Sequence, residues 1–204
     1  MPSPAMPSLS PDEIDDLLYL TRVNEASELQ QLIVDLAQKY NISRKDVILA
    51  GVDPESGNSV LHYCSANGFT ELLKALLDQL SVQSGGDTED QSAIVPPAVV
   101  NISNKEGNTP LHWACLNGQL DIVKMLLDAG ADTSLRNTAG HLAVFEAERA
   151  GKGQVVEYLL DRGELNTDSE DLADIPINDL EISNGAPEAD GNGATNMNGS
   201  ASND

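Results

Sequence analysis

Aromatic residues make up only 3% of this 204-residue chain, with a single tryptophan, so any core must be built from aliphatic side chains. Cysteine is scarce too. Cys64 and Cys115 are too few for a disulfide framework, and a reducing compartment is expected. Positive charge is the third deficit: 11 Lys and Arg stand against 33 Asp and Glu, a net charge of −22. Such a charge repels nucleic acid and anionic lipid at long range and favours a basic protein partner. No apolar run of membrane-spanning length occurs, so no membrane association is expected. Met1-Pro2-Ser3-Pro4-Ala5-Met6-Pro7 has neither a basic nor an apolar stretch of the secretory kind, and secretion is not expected. No Ser/His/Asp or Cys/His set recurs at a catalytic spacing, and no Gly-rich phosphate loop follows a strand. A non-catalytic protein with no cofactor and no metal is therefore expected.

What is present is a motif written twice. Gly57-Asn58-Ser59-Val60-Leu61-His62-Tyr63-Cys64-Ser65-Ala66-Asn67-Gly68 matches Gly107-Asn108-Thr109-Pro110-Leu111-His112-Trp113-Ala114-Cys115-Leu116-Asn117-Gly118. A worn third copy starts at Gly140, one 33-residue period after Gly107. Thr109-Pro110-Leu111-His112-Trp113-Ala114 is the core of an ankyrin repeat. The glycine makes the turn into the inner helix. The Ser or Thr caps that helix through its hydroxyl, and proline suits a first turn that needs no donor. Each copy runs into a Leu/Val-rich outer helix: Leu72, Leu73, Leu76 and Leu77; then Leu120, Ile122, Val123, Leu126 and Leu127; then Val155, Val156, Leu159 and Leu160.

The expected fold is all-α, an ankyrin solenoid of about four repeats with β-turn fingers, flanked by disordered tails. Residues 1–10 read as a Pro/Ser-rich lead and 11–163 as the repeat domain. Ser10 or Asp12 caps a first helix whose stripe is Leu17, Leu18, Leu20 and Val23. Leu29, Leu32, Ile33, Leu36 and Tyr40 form a second stripe. This pair lacks the Leu-His signature and reads as a degenerate capping repeat. Repeat two is expected over about 47–80, repeat three over 99–132 and repeat four over 133–163. The 17 residues of excess between Gly57 and Gly107 map to a surface loop at 81–98. Residues 164–204 hold 10 acids and no Lys or Arg and read as a low-complexity tail. Residues 1–163 still carry 23 acids against 11 bases, so the array itself is acidic.

His62 and His112 sit at the motif's own histidine position, where the ring ties its turn to the next repeat; that reading outweighs a metal site. Cys64 and Cys115 fill small-residue packing slots and read as inert core. Function should lie where the fold leaves side chains free. The residue after the motif histidine faces the concave side, and there stand Tyr63, Trp113 and, one period on, Glu146. Asn67 and Asn117 end the same inner helices. Asp53, Glu55, Asn58, Glu106 and Asn108 lie on the fingers and extend an acidic rim. Buried by a partner, Trp and Tyr are typical interface anchors. The competing reading is that Trp113 packs on Tyr63 and merely stiffens the array.

The segment 106–118, then Leu120-Asp121-Ile122-Val123-Lys124-Met125-Leu126-Leu127, and then His141-Leu142-Ala143-Val144-Phe145-Glu146-Ala147-Glu148 resemble the small fungal ankyrin-repeat chaperones of ribosomal protein S3. The departure of the last repeat from Thr-Pro-Leu-His-x-Ala-Ala is the sharpest point of likeness. The long loop and acidic tail also look like that family. The resemblance implies a dedicated chaperone. It would bind the N-terminal region of newly made S3, a basic RNA-binding protein, in a 1:1 complex as a monomer. It would keep S3 soluble, act in cytoplasm and nucleus, and deliver S3 to the assembling small subunit. The repeats alone fit a second reading equally: an adaptor or inhibitor of a basic signalling, transcription or cytoskeletal protein.

Overall fold

The computed structural model describes residues 9–83 and 93–162. Ten helices occur among them, in four antiparallel pairs with two short additions. The pairs are α1 (Pro11–Arg22) with α2 (Ala26–Tyr40), α4 (Val60–Asn67) with α5 (Thr70–Leu80), α7 (Pro110–Asn117) with α8 (Leu120–Asp128), and α9 (Ala143–Arg149) with α10 (Gly153–Asp161). The additions, α3 (Arg44–Ala50) and α6 (Pro97–Val100), each precede a finger. The first helix of each pair packs on its counterpart in the next, so α1, α4, α7 and α9 form an inner row.

Local chemistry sets these elements. Ser10 and Glu13 close a capping box at the start of α1, leaving Pro11 where no backbone donor is needed. Glu13 also accepts from Lys39 Nζ at 2.6 Å and Tyr40 Oη at 2.8 Å, clamping α2 to α1. The lysine contact holds the Glu13 carboxyl down at about 2. Gly68 and Gly118 end α4 and α7 in the left-handed conformation that glycine adopts without penalty. One aliphatic core runs between the helix rows, including Leu72, Leu76, Ile122 and Leu126. Burying each such side chain contributes about 1.5–3 kcal/mol, and stacking neighbours is the only way a single repeat can reach that burial.

The structure corrects several expectations. Val23 is not on the packed stripe of α1; it is the C-cap and 44% exposed. The start of repeat two, expected near 47, falls inside a short helix. Residues 44–50 form α3, whose capping box, Ser43 with Asp46, is a sequence signal that went unread. The 81–98 insertion is not wholly loop. Its ends pair as a short antiparallel ladder, β1 (Val82–Gln83) with β2 (Ala93–Ile94), and its last residues begin α6. Val99 and Val100 of α6 are buried. Of the Pro/Ser lead expected over 1–10, Leu9 is buried and Ser10 caps α1; residues 1–8, the loop tip over 84–92 and everything from Gly163 through the tail lie outside the described residues.

Candidate functional site

The groove is built from its fingers. In each, an Asx side chain folds the turn. Asp53 Oδ1 accepts the Glu55 N–H at 2.8 Å, Asn104 Oδ1 accepts those of Glu106 and Asn108, and Asn137 Oδ1 accepts those of Ala139 and His141. The fingers then bond to one another. Lys105 N–H donates to Ser56 O at 3.0 Å and Thr138 N–H to Glu106 O at 2.9 Å. Asn104 Nδ2 donates to Asn58 Oδ1 at 2.8 Å, and Asn137 Nδ2 to Asn108 Oδ1 at 2.9 Å. Asn58 and Asn108 are therefore rungs of this ladder, half-buried, as well as rim residues.

The motif histidines do what their position predicts. His62 Nδ1 accepts the Ser59 N–H at 3.1 Å, so Nε2 carries the proton and donates to Asn108 O at 2.8 Å. His112 repeats this with Thr109 N–H and His141 O. In both copies the hydroxyl lies 2.9 Å from the ring nitrogen, so the imidazole takes the part that Glu plays in a capping box. Burial pushes His62 down to about 4 and lowers His112 as well. Cys64 and Cys115 are fully buried, and burial raises both thiols, that of Cys64 to about 12.

The concave column is made by Tyr63 on α4 and Trp113 on α7, both half-buried. They do not form a ring pair; among the described residues the aromatic pair is His141 with Phe145, 4.4 Å apart. Tyr63 instead lies under the Arg22 guanidinium, 5.2 Å from its ring centre. Trp113 has its Nε1 buried without a hydrogen-bond partner, against the usual pairing of buried indole donors. It borders a cavity of about 470 Å³ shared with Glu106, Leu116, Asn137, Glu146 and Arg149. Asn67 and Asn117 are exposed at the ends of α4 and α7, where each Nδ2 donates to the main-chain oxygen of Tyr63 or Trp113 at 2.9 Å.

Glu146 departs from expectation. It holds the column position on α9, but its side chain turns inward and the residue is only 5% exposed. Oε1 accepts from His141 Nδ1 at 2.9 Å and from Asn137 Nδ2 at 3.1 Å, and Oε2 from Arg149 at 2.6 Å. Burial alone would push this carboxyl up; those three donors outweigh it and hold the carboxyl below its ordinary value. The reason is its place at the end of the array. His141 stands where Asn58 and Asn108 stand and, with no described finger beyond it to pair with, bonds Glu146 instead. Phe145 likewise replaces the motif histidine, whose donor would have no next-finger carbonyl to meet among the described residues. Asn137, His141 and Arg149 were missed as groove residues, although the Gly140-His141 pairing in the worn motif copy marked the change.

On the rim, Glu55 and Glu106 are exposed, and Asp53 is half-buried. The Ser56 hydroxyl and Glu55 N–H hold the Asp53 carboxyl below its usual range, and Arg22 adds to this. Lys105 reaches across to Pro54 O at 2.8 Å, so the acidic rim also carries a cation. Outside the groove, Lys124 on α8 lies 5.6 Å from the Tyr158 ring centre, and Arg162 bonds the Tyr158 hydroxyl and Asp128.

Residues 24–137 and 91–171 match the family described as ankyrin repeats in three copies. The ankyrin repeat-containing protein YAR1 of Saccharomyces cerevisiae is 33% identical over 180 residues, covering 87% of this chain and 84% of YAR1. Among solved structures, a chain from the crystal structure of the yeast ribosomal protein Rps3 in complex with its chaperone Yar1 superposes with a TM-score of 0.65 and 34% identity. The match spans 78% of this chain and 99% of that one.

Proposed function

This chain belongs to the ankyrin-repeat family, and we propose that it is a dedicated chaperone of ribosomal protein S3. The observation that carries this reading is the correspondence, over 78% of this chain and 99% of the other, with a chain solved in a complex of Rps3 and its chaperone, at 34% identity. The groove supplies a matching mechanism. S3 is a basic, RNA-binding client that would otherwise associate with RNA and aggregate. An acidic rim at Asp53, Glu55 and Glu106 steers a cationic segment inward and substitutes for the negative field of RNA. Tyr63 and Trp113 then bury apolar surface, which salt does not screen. The ring of Trp113, half-buried in the free chain, offers its remaining exposed face to an apolar side chain of the bound segment. No step in this role needs a reaction, a metal or a cofactor, and the protein acts as a monomer holding one S3 by its N-terminal region. Accompanying S3 from synthesis to assembly places it in both cytoplasm and nucleus.

The test is affinity purification of the tagged protein from its own cells at physiological and then high salt, with mass spectrometry of what remains, since salt separates screened contacts from buried ones. S3 dominating the high-salt eluate is the expected result. A signalling, transcription or cytoskeletal factor in its place would establish the adaptor reading instead.

A further inference from the structure

The first repeat closes one end of the stack as a cap. Its backbone shows more. Asn24, with φ +60°, follows α1 in the left-handed conformation that Gly68 adopts after α4 and Gly118 after α7. Aligned on this residue, α1 falls into register with the inner helices. Leu17 meets Leu61, Leu18 takes the place of His62, and Thr21 that of Ser65, all of them buried. In this register Tyr19 occupies the column of Tyr63 and Trp113, and Val23 that of Asn67 and Asn117. Tyr19 is 58% exposed and Val23 44%; they are the exposed large hydrophobic residues among those described. They stand one turn apart and share a face of α1.

Scattered single exposed hydrophobics need no explanation. Two on one helix face, continuing an aromatic column along the inner row, do. Arg22, in the same turn, makes the surface continuous: its guanidinium lies over Tyr63, its Nε donates to Leu18 O at 3.3 Å, and its charge lowers the Asp53 carboxyl. Asp15 and Asp16, both exposed, lie a turn before Tyr19.

Building on the chaperone reading above, we propose that Tyr19 and Val23 form a client anchor in the first repeat, which takes an apolar side chain flanked by Lys or Arg in the basic S3 segment. Charge selects this occupant. The apolar pair is bordered by the carboxylates of Asp15 and Asp16, and Arg22 already lies over Tyr63 with its Nε bonded to Leu18 O. The chain's own tail, with 10 acids and no base, is repelled from the same surface. The groove thus grips its client across three successive inner helices, from α1 to α7.

The experiment uses the full chain and purified S3. Tyr19→Ala with Val23→Ser should weaken S3 binding about tenfold or more, as loss of a buried anchor does. Both side chains are exposed, so thermal unfolding should stay that of the parent chain. Unchanged affinity in that variant overturns the anchor and leaves the chaperone reading standing. Failure of the parent chain itself to bind S3 overturns both. A photoreactive benzoylphenylalanine at position 19 gives the second readout. Crosslinking to S3 is expected. Crosslinking to residues 164–204 of the same chain or to a second copy would assign the surface to that occupant and overturn the proposal.

Discussion

His62 donates from Nε2 to the main-chain oxygen of Asn108, 46 residues further along the chain, at 2.8 Å. A side chain inside one inner helix thereby holds the finger of the next repeat. The same Asn108 passes the link onward, since its Oδ1 accepts from Asn137. Repeat stacking in this protein is thus a hydrogen-bonded relay as well as apolar packing. The relay runs through the residues that carry the repeat signature.

Cutting that relay should cost stability. His62→Ala removes the acceptor of the buried Ser59 N–H and the donor to Asn108 O, which keeps only the Asn104 N–H of its own finger. The expected loss is about 2–3 kcal/mol. A lower urea midpoint at unchanged slope would record it. No loss would mean that apolar contacts alone couple the repeats.

The same buried rings make stability depend on pH. Burial pushes His62 from its ordinary 6.5 down to about 4 and lowers His112 too. The unfolded chain therefore takes up protons in a window where the fold does not. Stability is full above pH 6.5 and falls as pH drops toward 4, with a slope of up to about 1.4 kcal/mol per pH unit for each histidine. The Glu13 carboxyl, held at about 2, adds its loss only below its ordinary 4.5. Urea midpoints between pH 7 and 5 isolate the histidines. His62→Gln should flatten that slope by about half.

Two finger glycines separate backbone strain from packing between fingers. Gly107 and Gly140 have φ of +74° and +83°. A Cβ at Gly107 would lie 2.8 Å from Thr138 N in the next finger, whereas one at Gly140 meets nothing within 4 Å. Gly140→Ala should cost only the left-handed penalty, about 1 kcal/mol. Gly107→Ala should cost that and about 1–3 kcal/mol more for the displaced finger. Equal midpoints for the two variants would show that the fingers adjust to each other freely.

These contrasts explain what could be read from the sequence. Repeats two and three were legible because finger glycine, cap and histidine recur together, each fixed by backbone needs. The first repeat hid its register: Leu18 replaces the histidine and Asn24 replaces the glycine, although Asn is the next best residue at a left-handed stop. The column position of Glu146 is legible in the repeat spacing, but the orientation of its side chain is not. At the end of the array Asn137, His141 and Arg149 supply three donors, and they turn the carboxylate inward. The helix α3 was missed because seven residues carry too little apolar periodicity, leaving only its capping box to announce it.

Trp113 decides between anchoring and stiffening. Its ring is half-buried and pairs with no other aromatic among the described residues, and its Nε1 is buried without a partner. A residue retained for stability would satisfy that donor internally. Trp113→Ala should therefore weaken S3 binding by about 2 kcal/mol or more while lowering the melting temperature only modestly. Trp113→Phe keeps most of the apolar contact and removes the donor. Because Nε1 is buried out of a client's reach, this variant should keep most of the affinity. It should also fold at least as stably as the parent, because an unpaired buried donor has been removed. A large drop in melting temperature with unaltered binding would assign Trp113 to the core and move the anchoring role to Tyr63.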